Sequence, residues 1–137
     1  MATQFLLQGI AKWSYDHEMA EIPTDRKILA GMVSGVQALQ HHQGNIALST
    51  TALVIEGIND DQDLTIPLSN MKQLYIGFDD LFPITAVKSL GILWQPLRIE
   101  YYISAFETKR IYLIIDFNGV YTHDKEWFNM LTQMLSQ

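Results

Sequence analysis

Residues 5–15 alternate along the chain: Phe5, Leu7, Gly9, Ala11, Trp13 and Tyr15 fall on one side, and Leu6, Gln8, Ile10, Lys12 and Ser14 on the other. A period of two predicts a strand whose two faces meet different surroundings. Residues 16–27 are polar and broken by Pro23, and Thr24 can cap a helix there. Ile28, Leu29, Met32, Val33, Val36 and Leu39 then follow helical spacing. Gly31 and Gly35 each weaken a helix by about 1 kcal/mol relative to Ala. The expectation is a helical or irregular segment at about 24–43.

From Gly44 the pattern reads as a meander. Ile46–Thr50 and Ala52–Glu56 read as short strands, and residues 59–63 as a polar turn. Leu64–Leu68 alternates, with Pro67 marking an edge or a bulge. After a turn at Ser69-Asn70, Met71–Phe78 has Leu74, Ile76 and Phe78 in phase. Asp79-Asp80, Pro83, Gly91 and Pro96 break residues 79–96 into a long connection. Leu97, Ile99, Tyr101 and Ile103 form one strand face, and Ile111, Leu113, Ile115 and Phe117 form the next, across a turn near Glu107-Thr108. Counting symmetrically about Glu107 makes Tyr102 and Tyr112 cross-strand neighbours. The chain closes on a helix capped by Thr122 or Asp124, with Trp127, Phe128, Leu131, Met134 and Leu135 on one face.

The fold class that follows is mostly β with a C-terminal helix. We expect a seven-stranded antiparallel barrel or sandwich capped by one amphipathic helix, in a single domain over 1–137. A chain of 137 residues, 48% hydrophobic and 18% charged, can bury a core of its own. The absence of cysteine removes disulfides and thiol chemistry and fits a reducing compartment. No leader pattern is read at the N-terminus, and the longest uncharged apolar stretch, residues 28–39, is too short to span a bilayer. The expected location is the cytoplasm. A net charge of −6 with scattered cations argues against nucleic acid and anionic membrane as partners.

Seven strands followed by one helix resembles the pleckstrin-homology-like superfold. The run Gly44–Gly57, followed by Leu64-Thr-Ile-Pro-Leu-Ser-Asn-Met-Lys-Gln-Leu74, is similar to the consecutive strands of GRAM and bacterial pleckstrin-homology domains. Trp127 resembles the helix tryptophan that plugs the open end of such barrels. The likeness covers residues 44–137, while residues 16–43 exceed the family's usual first loop. It implies binding of phosphoinositides, peptides or proteins. Lys12, Arg26 and Lys27 are too sparse to support phosphoinositide binding.

Few residues suggest chemistry. His41 and His42 are adjacent, and on a helix would point about 100° apart, so they do not chelate one metal well. Asp16 and Glu18 could join them only through tertiary structure. Asn59, Asp61 and Asp63 open like a calcium loop, but Leu64 stands where Gly is needed and Asn70 where a bidentate Glu is needed. Gly31-Met-Val-Ser34-Gly35 sets its serine one place away from a nucleophile elbow. Asp60-Asp61 and Asp79-Asp80 are pairs in polar turns, not carboxylates in unlike surroundings. No catalytic set, metal site or cofactor is expected, and the chain reads as non-enzymatic.

The aromatic residues suggest contact instead. Tyr75, Tyr102, Tyr112 and Ile114 lie out of phase with the core faces, so they form a candidate interface. Their face is expected to be covered, by the 24–43 segment or the 79–96 connection within the chain, or by a partner or second copy. The function expected is protein contact, including self-association. The alternative is carriage of a small apolar ligand between the sheet and residues 79–96, and a weaker one is an enzyme with a site formed only in the fold.

Overall fold

The computed structural model describes residues 5–22, 42–58, 61–83, 94–118 and 121–136. The strands are β1 (Phe5–Tyr15), β2 (His42–Ser49), β3 (Ala52–Gly57), β4 (Leu64–Pro67), β5 (Met71–Ile76), β6 (Leu97–Tyr102) and β7 (Thr108–Ile115). Among the described residues the helices are α1 (Asp16–Ala20) and α2 (Asp124–Leu135), and a 3-10 turn, Leu68–Asn70, joins β4 to β5. All strand pairs are antiparallel, in the order β4-β3-β2-β1-β7-β6-β5. The sheet does not close: β4 and β5 are its two edges.

Alternation builds the inner core. Ala11, Trp13 and Tyr15 of β1, Ile46 and Leu48 of β2, Leu53 and Ile55 of β3, and Ile111, Leu113 and Ile115 of β7 are buried together. Trp127 and Leu131 of α2 join the same cluster, so the helix covers the inner face as its apolar spacing requires. Asp124 anchors the start of that helix. Its two carboxylate oxygens accept the backbone N–H groups of Leu97 at 2.9 Å and Ile115 at 2.7 Å. The N-cap is His123, and neither Thr122 nor Asp124 takes that place. Asp124 is the first helical residue, where its carboxyl serves two strands as well as the helix end.

Several expected boundaries move. β2 begins at His42, so the last two residues of the expected 24–43 segment are strand, and residues 24–41 lie outside the described residues. The helix α1 was not anticipated among the polar residues 16–27. Glu18 holds it by accepting the Tyr15 N–H at 2.9 Å, and Met19 is its buried anchor. β5 ends at Ile76 because Gly77 turns the chain at φ 146°, a conformation that favours glycine. β7 ends at Ile115 because Asp116 is left-handed at φ 55°. Among the described residues no helix is long and apolar enough to cross a membrane.

Candidate interaction surface

The structure separates the four residues of the candidate interface. Tyr112 and Ile114 are fully buried on the outer face of β7, under Met19 of α1, Phe82 and Trp94. Ile22, Phe78, Leu81 and Phe117 pack around that cluster. These two residues are therefore internal, and the described cover comes from α1 and from both ends of the 79–96 connection. Phe82 and Trp94 are themselves buried against Tyr112 and Ile114. Tyr75 and Tyr102 stay exposed, at 38% and 40%.

The cross-strand pairing of Tyr102 with Tyr112 does not occur. Tyr102 stands opposite Thr108, and Tyr112 opposite Arg98, so the hairpin is symmetric about Ala105 and its loop is residues 103–107. The loop is held by the Ile103 N–H donating to Glu107 O at 3.0 Å. Ser104 Oγ accepts the N–H groups of Phe106 at 3.3 Å and Glu107 at 3.1 Å. This local turn chemistry presents Phe106, 97% exposed, and Ile103, 54% exposed, at the tip. A shallow depression of about 400 Å³ lined by Asn70, Tyr102, Ile103, Ser104 and Ala105 lies beside them.

Charges of both signs surround the hairpin. β5 and residues 97–110 carry Lys72, Arg98, Lys109 and Arg110 against Glu100 and Glu107, and Asp16 and Glu18 follow Tyr15. Glu100 pairs with Lys72 at 3.4 Å and Arg110 at 3.6 Å. Lys109 lies over the Tyr15 ring at 4.2 Å. Arg98 lies over Tyr75 at 4.5 Å and donates to Asp79 at 2.7 Å. Asp79 also accepts the Tyr112 hydroxyl at 2.7 Å and the N–H groups of Leu81 and Phe82, each at 2.9 Å. Burial opposes ionisation of Asp79, but these donors outweigh it and hold its carboxyl below the ordinary value. Burial and the neighbouring Asp79 carboxylate push the Tyr112 hydroxyl upward.

Beside Tyr15, at the start of β2, His42 lies between two carboxylates. Its Nδ1 is 2.8 Å from Asp61 Oδ1, and its Nε2 is 2.8 and 2.9 Å from the two Glu18 oxygens. The ring stacks on Trp13, with centroids 5.5 Å apart, and meets the edge of Tyr15. Because the acids flank opposite nitrogens, the arrangement ties α1 and the β3–β4 loop to the start of β2. Burial raises the Asp61 carboxyl, but hydrogen bonds from His42 and the N–H groups of Gln43 and Gln62 bring it below its ordinary value. Asp63 accepts the Gly57 N–H, so both described acids of the calcium-like spacing shape the turn. His41 and Asn59 lie outside the described residues.

A second concavity, of about 430 Å³, lies on the outer face of β1–β3, between Phe5, Ile10, Ala47 and Val54, with Glu56 in its lining. Ile10 is 56% exposed there.

No family model and no curated protein matches the chain. Solved structures do share its fold. The C-terminal domain of an unknown protein from Leishmania infantum has a TM-score of 0.56 at 7% identity, with 98% of this chain and 86% of that one covered. A chain of the 8S snRNP assembly intermediate has a TM-score of 0.55 at 7% identity, with 99% and 87% covered. At such identity the likeness concerns fold alone.

Proposed function

We propose that this chain is a non-enzymatic domain of the pleckstrin-homology-like class, acting in the cytoplasm, whose work is protein contact through the end bearing the β6–β7 hairpin. The observation that carries this is Phe106, 97% exposed on a loop held by its own hydrogen bonds. Together with Ile103 and Tyr102 it makes an apolar tip, and such exposed groups mark contact sites when they are ordered and rimmed by polar residues. Lys72, Glu100, Glu107, Lys109 and Arg110 supply the polar rim. The strand order with Trp127 seated against the inner face supports the class.

A photo-crosslinking residue placed at position 106, compared with one at Thr132 on the exposed side of α2, tests the reading. Discrete protein adducts at 106 and few at 132 are expected. Equal yields at both positions, or none, would overturn it. Fractionation of cells expressing the tagged chain checks the compartment, and recovery outside the cytoplasm would remove that part of the proposal.

A further inference from the structure

We infer that His42 is a proton-operated latch: with both ring nitrogens protonated it holds α1 against the sheet, and loss of the Nε2 proton releases that helix.

Geometry defines the engaged form. Nδ1 lies 2.8 Å from Asp61 Oδ1, and Nε2 lies 2.8 Å from Glu18 Oε2. An ionised carboxylate only accepts hydrogen bonds, and only the imidazolium carries a proton on both nitrogens. The site is sheltered: the His42 side chain is 15% exposed and each acid 18%. Stacking on Trp13 and the edge of Tyr15 orient the ring plane, and the Trp13 face also favours the cation. Around the site, α1 further brings Asp16 and His17, the latter stacked on Tyr15. Lys109 of β7 lies on the same Tyr15 ring, and Asp63 of the β3–β4 loop is engaged with the Gly57 N–H.

The two acids are not held alike, and this decides which one lets go. Asp61 also accepts the N–H groups of Gln43 at 2.9 Å and Gln62 at 2.8 Å, so it stays in place whatever the ring does. Glu18 accepts the Tyr15 N–H, a contact at the helix's own N-cap that does not reach β2. A ring with one proton therefore keeps Nδ1–H on Asp61 and turns the Nε2 lone pair toward the Glu18 carboxylate. Two acceptors then face each other, and the five-residue helix is the part free to retreat. Met19, next to Glu18, is fully buried with Tyr112 and Ile114, so retreat uncovers the outer cluster. The latch is bounded on the acid side as well. Contacts from His42, Gln43 and Gln62 outweigh burial and hold the Asp61 carboxyl below its ordinary value, so its contribution is lost only as pH falls through that lower value.

The test follows the histidine ring nitrogens by NMR through a pH titration. In the same samples, broadening of a labelled Met19 methyl by a soluble nitroxide reports opening of α1, and thermal melting confirms folding. His42 should begin with both nitrogens protonated and end as the Nδ1–H tautomer. The open fraction should rise roughly tenfold over that step, the weight of one hydrogen bond to a charged group. In Glu18→Gln the amide can accept the Tyr15 N–H and donate to the neutral Nε2, so the Met19 methyl should stay shielded throughout. In His42→Gln the step should vanish, and this variant decides the matter if Glu18→Gln fails to fold. A ring with one proton from the start, a proton lost from Nδ1, or global unfolding before the ring titrates would overturn the inference. So would a Met19 methyl equally shielded across the titration, or a step that survives in folded His42→Gln.

Discussion

Strand β7 buries five consecutive residues, Ile111–Ile115, yet its two faces are covered in different ways. The inner face meets side chains from the other strands and from α2, each supplied by an element with a regular period. The outer face, with Tyr112 and Ile114, meets Met19, Phe82 and Trp94, which come from one five-residue helix and two pieces of connection. Repetition of strand and helix geometry organises the first. Polar anchoring holds the second: Asp79 gathers Tyr112, Arg98 and two backbone N–H groups at one carboxylate. A sheet can therefore be enclosed on one side by periodic elements and on the other by irregular chain, provided the irregular chain has its hydrogen bonds satisfied.

The comparison is most open to attack through the two covering aromatics. Trp127→Ala should cost about 3–5 kcal/mol, since it empties the contact of α2 with the inner face. Melting close to wild type would show that the helix is not part of the inner core. Phe82→Ala should cost about 3 kcal/mol, the lower end of the same range, because a short irregular segment collapses more readily onto a gap. Calorimetry on both variants measures the difference, and a larger loss at Phe82 would reverse the ranking of the two faces.

Smaller changes probe the polar anchors. Asp124→Asn keeps the shape but can accept only one of the two N–H groups, so a loss of about 1–3 kcal/mol is expected in denaturant unfolding. Tyr112→Phe removes a single hydrogen bond to a charged group and should cost about 1.5 kcal/mol. A neutral result there would mean that Asp79 organises its loop without the hydroxyl.

The pH dependence separates the faces by sign. Asp79 is held below its ordinary value of 3.8, so its contribution is present above that value and is lost as pH falls through the lower folded-state value. Burial raises Asp124 well above 3.8, against the hydrogen bonds of its two backbone donors. Its contribution is therefore fully present at acid pH and declines as pH rises through the folded-state value. Stability curves of Asp79→Asn should lose part of the acid-side fall, and those of Asp124→Asn part of the opposing trend. Matching curves for the two variants would remove the distinction.

Hydrophobic phase alone specified which residues form strands and which helix face turns inward, because burying one face of a regular element requires one period. Trp127, Leu131, Ile111 and Leu113 were legible for that reason. Loop length was not legible, since both ends of the β6–β7 turn face solvent and no apolar pattern distinguishes a centre at Ala105 from one at Glu107. That two-residue difference separates Tyr102 from Tyr112. The exposed tip was missed too, although Phe106 beside Ser104, out of phase with both strands, was a usable signal.

Contacts between distant residues had no signature in spacing. His42 lies 24 residues from Glu18 and 19 from Asp61, and only the pairing of β1 with β2, together with the β3–β4 loop, brings the three together. The same holds for the outer cluster: the sequence determined that Tyr112 and Ile114 share a face, while the tertiary structure decided that Met19, Phe82 and Trp94 cover it. Periodicity records the local geometry of an element. What lies against that element depends on the path of the whole chain, which no single window of residues encodes.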